Sequence, residues 1–278
     1  MSKLNWKSEF KKCVRDNTRM YMIENYVLNQ PLLCSQKEIL YNMKHNKISV
    51  ISKSRDIGYT SLMAAYIACE MALNCDEDYG MVYVGAQRTM CNEFIRMVIT
   101  YLERIPKQLW CSDDNLKIYT TGVQITLGKS NVKAVSALDK DIYKLSSDII
   151  ENNPKIAVWD ESSFMKIDIH CIIENVLKDD CENIVVSGTP NPNNNLWFDF
   201  VKKYKESSCY LELPWWTNEK HKMDDYDDVE VLCTPYGEDA HRTNKWSRSR
   251  RRMYEDDDAF SIEYDAKVWK YKTIKEYV

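Results

Sequence analysis

Apolar and polar positions alternate along this chain in two rhythms, one helical and one extended. Between residues 4 and 30 the apolar positions Trp6, Phe10, Val14, Met20, Tyr21 and Ile23 fit a helical segment, which Pro31 ends. "SQKEILYNMKHN" predicts a second helix, with Ser35 as N-cap and Glu38 at the capping-box position. "KISVIS" then reads as a buried strand, residues 60–74 as a helix of small and apolar residues, and "GMVYVGA" as another strand. A helix from about Thr89 to Arg104 follows, closed by Pro106. In "LKIYTTGVQITLGKSNVKAVSA" the alternation, with Gly122 and Gly128, predicts short strands and turns.

The later chain repeats the theme. "KIAVWDESSFM" is an apolar strand running into acids, and "CIIENVLKDD" a short helix. "ENIVVSGTPNPNNN" is a buried strand ending in a turn, "LWFDFVKKYK" an amphipathic helix, and "SCYLELPWW" a further strand. Near-continuous apolar strands alternating with helices imply an α/β fold with a mostly parallel sheet and helices on both faces. The expected organisation is an N-terminal helical segment over 1–34, a core over 35–217, and a peripheral lobe or C-terminal extension over 218–278. The last stretch differs in texture: "KMDDYDDVEV" is acidic, and "NKWSRSRRRMYEDDDAF" sets four arginines before four acids. By itself such patterning reads as solvated surface with local ion pairs.

Composition narrows the classes. The chain has 278 residues, 44% hydrophobic and 29% charged, as expected for a globular protein. The longest apolar run, Leu62–Leu73, is broken by Glu70 and is too short to span a bilayer. "MSKLNWKSEFKKC" has no apolar signal core, so an intracellular location is expected. Ten scattered cysteines with no C-x-x-C pair, and only four histidines, predict reduced thiols rather than a disulfide framework or zinc site. A net charge of −4 leaves nucleic-acid binding to local patches. Glycine is scarce: about 7% usage would give roughly twenty, and the chain has seven. Gly58 and Gly188 therefore stand out.

Three stretches carry candidate chemistry. "KSRDIGYT", residues 53–60, joins a strand to a helix through one glycine, the outline of a phosphate-binding loop. Gly58 allows the turn, Thr60 stands where a metal-binding hydroxyl belongs, and the helix start supplies the dipole. The usual lysine position holds Tyr59, but Lys53 and Arg55 lie within the loop. "IAVWDESSF", residues 156–164, is a Walker-B-like strand end. Asp160 would serve magnesium, which prefers oxygen ligands, and Glu161 would orient the attacking water. "IVVSGTPN", residues 184–191, ends in Ser187, Gly188, Thr189 and Pro190, polar groups at a third strand end.

Taken in order, these motifs resemble the ATPase domain of the large terminase subunit of tailed bacteriophages. "KSRDIGYT" is similar to that family's variant phosphate loop, in which the lysine moves to the start. "DESSF" at 160–164 resembles its DExxF, and "SGTPN" at 187–191 its coupling motif. Gln36 in "CSQKEIL" resembles a family glutamine that recognises adenine, and "DDAFSIEYDAKVW" the closing segment of the motor domain. The resemblance, from Gln36 to Trp269, implies a P-loop NTPase of RecA-like type using ATP and Mg2+. It implies nucleotide contacts from Gln36, Lys53, Ser54, Arg55, Ile57, Gly58, Tyr59, Thr60 and Ser61. It also implies metal ligation by Thr60 and Asp160, catalysis by Glu161, a cis arginine finger at Arg55, and coupling through Thr189 with Ser187. A surface glutamine on a helix is the plain alternative for Gln36.

The implied partners are double-stranded DNA, the portal protein and a small terminase subunit. The implied working form is a ring, commonly of five, docked on a procapsid in the host cytoplasm. Two departures stand out. Asp56 puts an acid beside phosphates, unfavourable unless Lys53, Arg55 or the metal offsets it. Only nine residues follow Trp269, so the family's RNase H-like nuclease is not expected in this chain; it was removed or is a separate protein. The acidic run 224–228 lacks alternating strand context and does not replace it. Arg248, Arg250, Arg251 and Arg252 form the densest basic cluster, open to three readings: DNA contact, trans fingers, or pairing with Glu255–Asp258. Two other functions fit the motifs: a helicase-like remodelling ATPase, and an assembly module with weak or no turnover.

Overall fold

The structure is a computed structural model. It describes residues 18–110, 118–138, 140–177, 181–191, 194–214, 217, 227–234, 237–243, 249 and 253. The arginines at 248 and 250–252, the closing segment 257–269 and the N-terminal stretch before Thr18 lie outside these residues.

Eight strands form a mixed, mostly parallel sheet. They are β1 (Ile48–Lys53), β2 (Gly80–Gly85), β3 (Ile118–Thr121), β4 (Gln124–Leu127), β5 (Ser130–Ser136), β6 (Pro154–Asp160), β7 (Asn183–Gly188) and β8 (Tyr210–Leu213). Their order is β3-β4-β5-β2-β6-β7-β1-β8. Two further strands, β9 (Asp227–Thr234) and β10 (Gly237–Thr243), make a separate antiparallel ribbon. The chain divides into two compact units. One takes in the described residues up to Leu32, Tyr59–Asp160 and Ile167–Ile184; the other has Leu33–Gly58, Glu161–Lys166 and the described residues from Val185 onward.

In the first unit, β2 pairs in parallel with β5 and with β6, setting Tyr83 opposite Val158 and Gly85 opposite Asp160. All six residues of β2 are buried, so both of its faces are covered. The β3-β4-β5 meander is antiparallel and turns at the predicted Gly122 and Gly128. The first described helix, α1 (Thr18–Met22), runs on as a π-turn over Ile23–Val27.

Helix α3 (Tyr59–Leu73) is buried on nearly every side, which its all-round apolar sequence requires. Glu70 in its middle is fully buried and is tolerated because Arg19 of α1 grips both carboxylate oxygens, one bond measuring 3.2 Å. Helix α4 (Arg88–Arg104) buries Cys91, Phe94, Ile95, Val98 and Leu102, a single stripe at helical spacing. Tyr83 stacks on Phe94 at 3.7 Å between ring centres. Two more helices, α5 (Ile142–Ile150) and α6 (Ile169–Ile172), also belong to this unit.

In the second unit β1 pairs in parallel with β8, Lys53 opposite Leu213. Helix α2 (Cys34–His45) and helix α7 (Asn195–Tyr204) belong here. Three expectations change. Ser35 is not the N-cap and Glu38 is not at the capping-box position: the N-cap of α2 is Leu33, two residues earlier, and its N–H is taken by the Gln36 side chain at 3.1 Å. Helix α5 has no counterpart in the sequence reading, because Leu145 and Ile149 are its only buried residues. The acidic run does have strand context, since Asp227 and Asp228 open β9.

Candidate functional site

In the second unit β1 delivers Lys53, and the chain then turns through Arg55 and Asp56. Lys53, Ser54 and Ile57 are buried, whereas Arg55 and Asp56 are exposed. Asp56 occupies the left-handed region at φ 63°, and Gly58 does so at φ 74°. Gly58 is required for that φ, and a Cβ there would lie 2.8 Å from the Gln36 amide nitrogen, which would have to move aside. Gln36 donates that amide to the Gly58 carbonyl at 3.4 Å. It is thus a buried strut between the start of α2 and the loop, not a surface residue.

The Lys53 ammonium donates to Glu161 Oε1 at 2.7 Å. Thr189 stands over the same carboxylate, its N–H 3.5 Å from Oε2 and its hydroxyl 3.4 Å from Oε1. Burial alone would push the Glu161 carboxyl up. The Lys53 charge and the hydrogen bonds from Lys53 and Thr189 outweigh it and hold the group below the usual carboxylate range. Lys53, 108 positions away, and Thr189, 28 positions away, thus converge on one ionised carboxylate.

The turn after Glu161 is held from the same side. Asn191 and Asn194 both donate to the Ser163 carbonyl, at 3.1 and 2.8 Å. Gly188 permits this docking, because a Cβ there would lie 2.9 Å from the Trp197 ring and 3.0 Å from the Ser163 nitrogen. Asn191 stands inside the quoted motif, but Asn194 was missed. Its only sequence signal is its place before an amphipathic helix, where it is the N-cap of α7.

The first unit holds the other pair. Thr60 Oγ1, in the first turn of α3, donates to Asp160 Oδ2 at 2.5 Å. Tyr83 donates to the same oxygen at 3.3 Å, a contact the sequence did not suggest. Burial and then the Asp160 charge push the Tyr83 phenol up, so it stays a donor. Tyr59 is buried, its hydroxyl 3.4 Å from the Trp159 carbonyl, and the Ser61 hydroxyl faces Met97 sulfur at 4.0 Å. One hydroxyl and one carboxylate are the hard oxygen donors that Mg2+ takes when phosphates and water fill its remaining positions. Among the described residues no three His, Cys, Asp or Glu side chains gather as a metal site, and no helix is long and apolar enough to cross a membrane.

No protein-family model and no curated protein matches the chain. Solved structures do. The Thermus phage P74-26 large terminase ATPase domain superposes with a TM-score of 0.56 at 11% identity, covering 82% of this chain and 92% of that one. The HK97 bacteriophage large terminase gives 0.52 at 19% identity, covering 72% of this chain and 44% of that one. A large terminase from a thermophilic bacteriophage gives 0.51 at 16% identity, covering 84% of this chain and 52% of that one. The chain therefore matches about half the length of the latter two proteins. At these identities the likeness is one of architecture: this chain has the α/β P-loop fold of large terminase ATPase domains.

Proposed function

We propose that this chain is the motor ATPase of a viral DNA-packaging machine, hydrolysing ATP with Mg2+ to drive double-stranded DNA into a procapsid. The observation that carries this reading is the partly buried Lys53–Glu161–Thr189 constellation at 2.7, 3.4 and 3.5 Å. It joins three strand-end motifs in a chain whose fold is that of terminase ATPase domains.

Lys53 supplies positive charge to the ATP phosphates from the start of the loop. The Gly58 turn and the first turn of α3 present backbone N–H groups and the positive end of a helix dipole to them. Arg55, exposed on the loop, acts as the cis arginine finger that offsets charge developing in the transition state. Glu161, ionised and acceptor-only, orients the attacking water and takes its proton. Thr60 and Asp160 would hold Mg2+, which would supply positive charge to offset that of the phosphates. Thr189 and Ser187, at the end of β7, pass the state of the reaction to the rest of the machine. Gln36 reads the adenine base while bracing the loop. The partners are double-stranded DNA, a portal, a small terminase subunit and further copies of this chain in a ring.

Steady-state ATP hydrolysis with and without double-stranded DNA and portal tests the reading. Wild type should turn over only with Mg2+ and faster with the partners. Lys53→Ala should lose at least about 100-fold in kcat/KM. Magnesium-dependent turnover absent under every condition would sink the motor reading, and an unaffected Lys53→Ala would reject the lysine assignment alone.

A further inference from the structure

Glu161 sits in the left-handed region at φ 54°, ψ 40°. For a residue with a side chain this conformation costs about 1–2 kcal/mol, so the turn that follows must hold it. That turn is closed by Phe164 N–H on the Glu161 carbonyl and Met165 N–H on the Ser162 carbonyl, both at 3.0 Å. Asn194 clamps it. Its Nδ2 donates to the Ser163 carbonyl at 2.8 Å and to the Met165 carbonyl at 2.7 Å. Its Oδ1 accepts the Trp197 N–H at 3.3 Å, capping α7. A single side chain thereby ties the start of α7 to two carbonyls of the turn. The close packing of Gly188 against Trp197 and Ser163 leaves no slack beside it.

We propose that Asn194 is the positioning residue for Glu161: its two amide donations fix the 162–165 turn and so fix where the carboxylate points. The catalytic consequence rests on the ATPase reading above. The clamp itself rests only on this geometry.

Asn194→Ser separates the two roles of the side chain. Serine caps a helix about as well as asparagine but cannot donate to both carbonyls. The variant should unfold at close to the wild-type denaturant midpoint and keep its KM for ATP within about twofold. Its kcat should fall about 10–100-fold, as expected when a reacting group is misplaced. In hydrogen exchange, the Phe164 and Met165 amides should open about tenfold faster, the effect of losing about 1.4 kcal/mol of local hydrogen bonding. Asn194→Asp keeps the cap but turns a carboxylate toward two carbonyls, and should lose at least as much.

Faster exchange with unchanged kcat would overturn the positioning role. So would a common fall in stability, KM and kcat, the mark of a structural role. Unchanged exchange in both variants would overturn the clamp, and exchange reads the clamp without any turnover. A wild type that does not hydrolyse ATP, with exchange faster in Asn194→Ser, would overturn the ATPase reading and its catalytic consequence while leaving the clamp standing.

Discussion

Gly58 shows how much one residue can carry. Its φ of 74° disfavours any side chain, and its 2.8 Å approach to Gln36 would make that amide move aside. Gly58→Ala should cost about 1–2 kcal/mol in urea unfolding, mostly from the left-handed backbone, because the Gln36 amide can swing away. It should also weaken nucleotide binding. A cost near zero would mean that the turn relaxes. The need for glycine here was readable from its scarcity and from the strand–turn–helix pattern. The roles of neighbouring residues were not. Gln36 reads in sequence as an adenine contact or, alternatively, as a surface residue on a helix; it is buried because the Leu33 N–H and the Gly58 carbonyl satisfy its amide. Tyr59 looks like a replaced lysine, yet its ring fills core beside Trp159. Sequence gives a residue's chemistry, but partners from distant strands decide its burial.

At the scale of elements, buried charge decides how α1 attaches to α3. Glu70 interrupts an otherwise apolar helix and is fully buried against Arg19. Arg19 is itself half exposed and Asn74 also donates to the carboxylate at 3.2 Å, so Arg19→Met should destabilise the protein by about 1–3 kcal/mol. Arg19→Met with Glu70→Leu should recover most of that loss. Denaturant unfolding checks both, and a change under about 1 kcal/mol in the single variant would show that the pair is dispensable. The strands of the eight-stranded sheet and α4 were readable because their apolar spacing declares a period, as Cys91, Phe94, Ile95, Val98 and Leu102 do in α4. Helix α5 was not, since two buried residues four apart declare none. Strand β9 was hidden by its opening acids, which read as solvated surface. The N-cap of α2 was misplaced because Ser35 offers a better capping oxygen than Leu33, while Gln36 satisfies the Leu33 N–H instead.

At the scale of the whole molecule, an eight-stranded sheet, three ordered strand-end motifs and the likeness to terminase ATPase domains lead to one account. The fold class was readable from sequence because the alternation of strands and helices is local, while the order of the strands is not. Under the proposed function Glu161 has one duty, activating water, and nucleotide binding falls to the loop and to Thr60 and Asp160. The direct test is magnesium-dependent ATP hydrolysis by wild type and Glu161→Gln, with nucleotide binding measured on the same preparations. The account predicts that Glu161→Gln binds ATP within about threefold of wild type while kcat falls at least about 1,000-fold. Turnover by Glu161→Gln within about tenfold of wild type would contradict it.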